Sequence, residues 1–218
     1  VGALIPRKGM EQVIAALADL RRRGVPAELT IVGDGPERAT LESLCGKLGL
    51  GSTVRFTGWR HDIGAILHGT DVLVSAAHAE AFGLTLIEAA ACGVPAVVTD
   101  TGGMAEVVAN GRSGLVVPPG DATAIADAVA YLWREPAELA RFAGGARERA
   151  TRQFSVARYA DDIQHAWDDL LAGRPAADSL LGEWRGLAAL PRHALACAAR
   201  RRRVARVRFR TGAEARAN

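Results

Sequence analysis

Short runs of β-branched and aliphatic residues alternate along this chain with stretches of helical periodicity, and that alternation leaves few folds open. Val1–Ile5, Ala27–Val32, Val54–Thr57, Val72–Val74, Pro95–Val98 and Leu115–Val117 read as strands. Between them, Val13, Ile14, Leu17 and Leu20 share one helix face, and Ile125, Ala128, Val129 and Leu132 share another. Gly33-Asp34-Gly35-Pro36 turns the chain into a helix expected over Glu37–Leu48. Such alternation predicts an α/β fold, a parallel sheet of about six strands with helices on both faces. Ligands of these sheets sit at the carboxyl ends of the strands. Gly33–Pro36, Gly58–His61, Ser75–Gly83 and Asp100–Gly103 are therefore expected along one edge.

The 218 residues, 49% of them hydrophobic, suffice for a full core without staples. Cys45, Cys92 and Cys197 are scattered, with no metal-ligand or redox spacing, so neither zinc nor disulfides are expected and a reducing, cytoplasmic setting is. No apolar run approaches the roughly 18–20 residues of a membrane-spanning helix. The chain opens on Val and turns basic at once, without the pattern of a signal peptide. The expectation is a domain cut from a longer chain. The net charge of +3 conceals an asymmetry, because residues 174–218 carry eleven Arg against Asp178, Glu183 and Glu214 and the body before them is net negative.

The stretch Glu80-Ala81-Phe82-Gly83-Leu84-Thr85-Leu86-Ile87-Glu88 carries the most chemical information. From Leu84 to Ala91 the only polar side chains are Thr85 and Glu88, three apart and so on one helix face. A helix apolar nearly all round is expected to be buried. Its polar strip then needs a partner, since an unpaired buried carboxylate is costly. A polar ligand and a core hydrogen-bond network are the two readings. The Phe82-Gly83-Leu84 turn opening into a helix favours the ligand: free N–H groups and the helix dipole suit a phosphate there. Gly83 would let the backbone approach it closely. Glu80 and Glu88 would flank it, each able to accept from paired sugar hydroxyls. Sugar, phosphate and sugar in a row are the pattern of a nucleotide-sugar. Lys8, in Pro6-Arg7-Lys8-Gly9 after the first run, falls on the same edge, where a cation could neutralise a diphosphate leaving group. A solvated basic turn is the plainer reading of that segment.

These segments resemble the C-terminal, donor-binding domain of retaining glycosyltransferases of family 4, which have the two-domain GT-B fold. The likeness runs from Val1 to about Gly173. Pro6-Arg7-Lys8-Gly9, Ile31-Val32-Gly33-Asp34-Gly35-Pro36 and Val54-Arg55-Phe56-Thr57-Gly58 occur in the family's order. The Glu80–Glu88 segment, Ala89-Ala90-Ala91-Cys92-Gly93-Val94-Pro95, Thr99-Asp100-Thr101-Gly102-Gly103 with Glu106, Asn110-Gly111 with Gly114, and Val117-Pro118-Pro119-Gly120-Asp121 follow. The resemblance implies a Rossmann-like nucleotide-sugar-binding domain over 1–173 and an Arg-rich tail, helical or disordered, over 174–218. It also implies sugar transfer from a nucleotide-diphosphate sugar with retention at the anomeric carbon. Lys8 would contact the diphosphate, Glu80 the donor sugar and Glu88 the ribose. The amides of Phe82, Gly83, Leu84 and Thr85 would hold sugar hydroxyls and phosphate, and Gly58, Trp59 and Arg60 would lie near the base. No cofactor and no bound metal are implied.

The family usually has an arginine where this chain has Ala3, five positions before Lys8, which leaves Arg7 as the substitute cation. The resemblance further implies an N-terminal acceptor domain, so this chain is expected to be the donor half alone, with that domain or another chain against residues 155–172. Val156, Tyr159, Ile163 and Trp167, on one side of the helix after Phe154, should then be exposed here. A non-catalytic nucleotide-sugar-binding module from a truncated gene and a nucleotide-sugar epimerase or phosphorylase are the alternatives. His78 near Glu80 reads as a bystander, and His61 and His68 are placed on one helix without a third metal ligand. Asp161, Asp162, Asp168 and Asp169 read as a wet helix face, and Ser75 lacks the context of a nucleophile. The Arg200–Arg203 cluster has three readings: a solvated or disordered tail, a contact to an anionic membrane at its inner face, or a nucleic-acid contact.

Overall fold

Within the chain's computed structural model, residues 1–172 are described. The opening segment ends in a 3₁₀ turn, Pro6–Lys8. Then follow α1 (Met10–Arg22), β1 (Leu29–Ile31), α2 (Arg38–Lys47), β2 (Val54–Phe56), α3 (Ile63–His68), β3 (Leu73–Ser75) and α4 (Leu84–Ala91). β4 (Ala96–Thr99), α5 (Met104–Val107), β5 (Gly114–Val117), α6 (Ala122–Arg134), α7 (Pro136–Gln153) and α8 (Val156–Leu171) complete them. A compact unit, Val1–Tyr159, holds every described strand, and a second unit begins at Ala160. The Arg-rich tail over 174–218, with the Arg200–Arg203 cluster, lies outside the described residues.

All strand pairs are parallel. β1 pairs with β2 in the register Leu29 to Val54. β4 lies between β3 and β5, with Val97 beside both Val74 and Leu115. Successive side chains of a strand point to opposite faces, and β4 shows it. Val97 enters a core with Ile125, Leu132 and Phe142 from α6 and α7. Ala96 and Val98 enter another with Leu86 and Ala89 of α4 and Met104 of α5. Helices therefore cover both faces, which is why all four residues of β4 are buried. A third core joins Leu4, Ile14 and Ile31 to Leu41 of α2. Local chemistry sets the helix starts: the Asp121 carboxylate accepts the Ala124 N–H at 2.9 Å, and Pro136 takes the first position of α7.

The α/β class with parallel strands and helices on both faces is as expected, but the strand count is not. Five described strands form two sheets, of two and three strands, rather than six in one. The opening run is the difference. Gly2 and Leu4 donate to the carbonyls of Val32 (2.8 Å) and Asp34 (2.9 Å), yet Ile5 already leads into the 3₁₀ turn, too soon for a full ladder. His61 also departs from expectation. It precedes α3, because Arg60 pairs with Asp62 and holds this stretch as a bend, while the His61 ring meets the Trp59 ring edge-on at 3.9 Å.

Phe142 is 2% exposed among the α6 and β4 side chains. Phe142→Ala should cost about 3–5 kcal/mol of stability, the usual range for emptying such a site. Urea denaturation followed by circular dichroism measures it.

Candidate functional site

Three loops, after the opening segment, β3 and β4, meet with almost no side chain between them. Gly9 ends the 3₁₀ turn and starts α1 with φ +62°, and a Cβ on it would fall 2.0 Å from the Ala76 carbonyl oxygen. Only glycine lets the Lys8 loop lie so close to the loop after β3. The His78 N–H then donates to the Arg7 carbonyl at 2.8 Å. From the other side, a Cβ on Gly102 (φ +56°) would meet the Glu80 carbonyl oxygen at 1.8 Å, and the Gly103 N–H donates to that oxygen at 3.2 Å. The hydroxyls of Thr99 and Thr101 both donate to the Ala77 carbonyl at 2.7 Å. Thr99 is fully buried, so its hydroxyl needs that acceptor.

This clamp brings Lys8 and Glu80, 72 residues apart, into an ion pair between their side chains, both about four-fifths buried. The Glu80 carboxyl is held below the usual carboxylate range, chiefly by the hydrogen bond from Lys8 and its charge, then by the Ala81 and Phe82 N–H groups. Burial opposes the shift. Lys8, Ser75, Glu80, Gly83 and Thr85 line one small hollow. Gly83 (φ +87°) starts α4 at its rim, so the first N–H groups of α4 lie beside the ion pair.

α4 is not the buried helix its composition predicts. Leu86 and Ala89 are buried, but Leu84 is 68% exposed and Glu88 is exposed. The helix covers the β4 core with one side only, and among the described residues Glu88 belongs to no core hydrogen-bond network. Phe82, 39% exposed, packs edge-on against Phe154 at 5.9 Å, and Arg149 lies 5.6 Å over the Phe154 ring.

A second cluster adjoins the first. The Gly33 N–H donates to the Gly58 carbonyl at 2.8 Å, and Arg38 reaches Asp34 at 3.2 Å. Trp59, 69% exposed, stands on the Gly58–His61 loop. Four anticipated residues thus share the hollow: Lys8, Glu80, Gly83 and Thr85. Gly58 and Trp59 lie in the adjoining cluster, and Leu84 and Glu88 do not line the hollow. Arg7, Ala3 and His78 are exposed. Ser75 donates to the Met104 sulfur at 3.3 Å. Among the described residues, no group of three or more His, Cys, Asp and Glu is arranged to hold a metal ion. None of the described helices is long and apolar enough to cross a membrane.

The family described as glycosyl transferases group 1 matches residues 1–149. The chain belongs to that family. This group 1 domain is 38% identical over 156 residues to a glycogen synthase of Mycobacterium tuberculosis, a match covering 71% of the chain and 38% of the relative. It is 34% identical over 165 residues to the N-acetyl-alpha-D-glucosaminyl L-malate synthase of Bacillus anthracis, covering 75% of the chain and 43% of that protein. The crystal structure of Anabaena HepE in complex with UDP superposes with a TM-score of 0.72 at 28% identity, over 77% of the chain and 47% of HepE. The domain spans less than half the length of each of these proteins, and its fold is one half of a GT-B glycosyltransferase.

Residue-by-residue reading missed the clamp. Thr99, Thr101, Gly102 and Gly103 form one string of sequence, but their convergence on Ala77 and Glu80 is a tertiary fact. The available signal was Thr-x-Thr-Gly-Gly directly after the apolar run Pro95–Val98.

Because the folded Glu80 carboxyl titrates lower than in the unfolded chain, the stability it lends is complete above the ordinary carboxylate value of about 4.3. It is lost as pH falls through the lowered folded value. Unfolding free energy measured against pH should rise through that window in the native chain and rise less steeply in Glu80→Gln. Gly102→Ala should lower the thermal midpoint and shift the amide resonances of residues 78–83, as two-dimensional NMR would record.

Proposed function

We propose that residues 1–173 form the donor-binding half of a retaining, family 4 glycosyltransferase, with the Arg-rich segment 174–218 outside it. The reaction is transfer of a sugar from a nucleotide-diphosphate sugar to an acceptor held by another domain. The Lys8–Glu80 pair beside the start of α4 carries this reading, because it sets a cation, a carboxylate and free N–H groups around one hollow. HepE was crystallised with UDP and also with UDP-glucose, which supports the ligand class.

Lys8 leaves Glu80 to meet the diphosphate, and Glu80 then accepts from hydroxyls of the donor sugar. The amides from Phe82 to Thr85 hold sugar hydroxyls and phosphate oxygens, and the dipole of α4 favours the negative charge. As the glycosidic bond to the diphosphate breaks, Lys8 and these amides stabilise the departing charge without a metal ion. Glu88, exposed one turn into α4, holds the ribose, and Gly58 and Trp59 flank the base. Arg7 supplies a second cation where Ala3 leaves none. The exposed Val156, Tyr159, Ile163 and Trp167 of α8 are covered by an N-terminal domain or another chain in the complete enzyme.

Isothermal titration of the chain with UDP, GDP, ADP and dTDP tests the site. At least one should bind, and Lys8→Ala should weaken it tenfold or more, about 1.4 kcal/mol. Absence of heat with all four, on protein folded by circular dichroism, would overturn the reading.

A further inference from the structure

Phe82 is held at two points, and both holds end on one guanidinium. The first runs through the main chain. A Cβ on Gly103 would lie 2.5 Å from the Ala81 carbonyl oxygen and 3.0 Å from the Phe82 Cα, so α5 starts directly against the turn. The Gly103 carbonyl accepts from the N–H groups of Glu106 (3.1 Å) and Val107 (3.2 Å). The carbonyls of those same two residues accept from Arg149, Glu106 from Nη2 at 2.6 Å and Val107 from Nε at 2.8 Å. The second hold runs through side chains. Arg149 lies over the Phe154 ring, and Phe154 meets the Phe82 ring edge-on. Phe154 is itself fixed at the end of α7, where its N–H donates to the Ala150 carbonyl at 3.1 Å. Arg149, α5, Gly103, Phe82 and Phe154 therefore close a ring of contacts within the compact unit.

Two carbonyls and an aromatic face receive the half-buried Arg149 cation. A guanidinium suits that place, because its planar fork donates to two acceptors while its face rests on a ring, and a lysine does only one of these. Burial, and then the nearby Arg112 charge, lower the Arg149 pKa, so these contacts offset a cost of holding the cation there. The braced turn leads straight into the candidate site. Gly83 follows Phe82 at φ +87°, and the Leu86 N–H donates to the Gly83 carbonyl at 2.9 Å as α4 begins. Phe82 is only partly buried, and the edge contact with Phe154 selects one orientation of its ring. Preorganised donor groups need their geometry held to about 0.5 Å by packed neighbours. We propose that Arg149 and Phe154 are positioning residues for this turn, holding Phe82 so that the amides of Gly83 to Thr85 stay beside the Lys8–Glu80 hollow. The assignment rests on the donor reading and adds to it two residues that act through Phe82.

Amide hydrogen exchange tests the brace without any ligand. In Phe154→Leu and in Arg149→Met, exchange at the Leu86 amide should accelerate about tenfold more than at Val97 in the middle of β4. Equal acceleration at the two amides marks general destabilisation and would overturn the inference, as would none at Leu86. Calorimetric titration with a nucleoside diphosphate that the native chain binds is the second measurement. Each variant should weaken binding about fivefold, within what an aromatic pair contributes, and Phe154→Tyr should restore it. In a Phe82→Leu background, which keeps the turn amides, Phe154→Leu should weaken binding no further. Additive losses in that double variant would overturn an action through Phe82. If the native chain binds none of UDP, GDP, ADP and dTDP, the donor reading falls and the positioning role with it. Native binding that Phe154→Leu leaves unchanged overturns the positioning role alone.

Discussion

Backbone packed directly on backbone is the constraint from which the candidate site follows. The Ala77 carbonyl takes two threonine hydroxyls, and the Ala76 and Glu80 carbonyls lie where Gly9 and Gly102 would carry side chains. Each contact is ordinary alone. Together they leave the loops after the opening segment, β3 and β4 no independent freedom. Lys8 and Glu80 meet because their main chains are fixed first. A surface pair of two long side chains contributes little to stability. This pair is four-fifths buried and pre-positioned, so it reports the geometry of the loops more than it holds them.

The fold was legible because strand–helix alternation and the faces of α1 and α6 are local properties. Strand positions agree to within about two residues, as boundaries read from pattern usually do. The errors share a cause. α4 is apolar nearly all round, and pattern alone assigns such a helix to the interior, yet burial depends on what lies beyond it. Leu84 and Glu88 are exposed there. The Val1–Ile5 run has the composition of a strand but donates only two bonds, to Val32 and Asp34 beyond the end of β1, and a strand exists by virtue of its partners. His61 was carried into a helix that the Arg60–Asp62 pair postpones.

The site was legible in a different way. Lys8, Glu80, Gly83 and Thr85 were identified from motif order, and the fold gathers them. Their pairing was not foreseen, because motif order assigns each residue to a ligand and not to another residue. Without a ligand the opposite charges neutralise each other, which spares the domain an uncompensated charge in a hollow. On the proposed function, an incoming diphosphate would displace a carboxylate from Lys8, and that exchange would favour ligands that also offer hydroxyl donors to Glu80. A diphosphate joined to a sugar would meet both needs.

The glycine-lined clamp also bears on how such a domain can be re-engineered. Loops at strand ends are commonly treated as separate parts that can be traded between relatives to change which donor is accepted. Here Gly9 is shaped to Ala76, and Gly102 and Gly103 to Glu80 and Ala81. A loop imported alone would meet a neighbour whose carbonyls stand in slightly different places, with no side chain between them to absorb the error. The three loops form one cassette, and a successful transplant has to move all of them together.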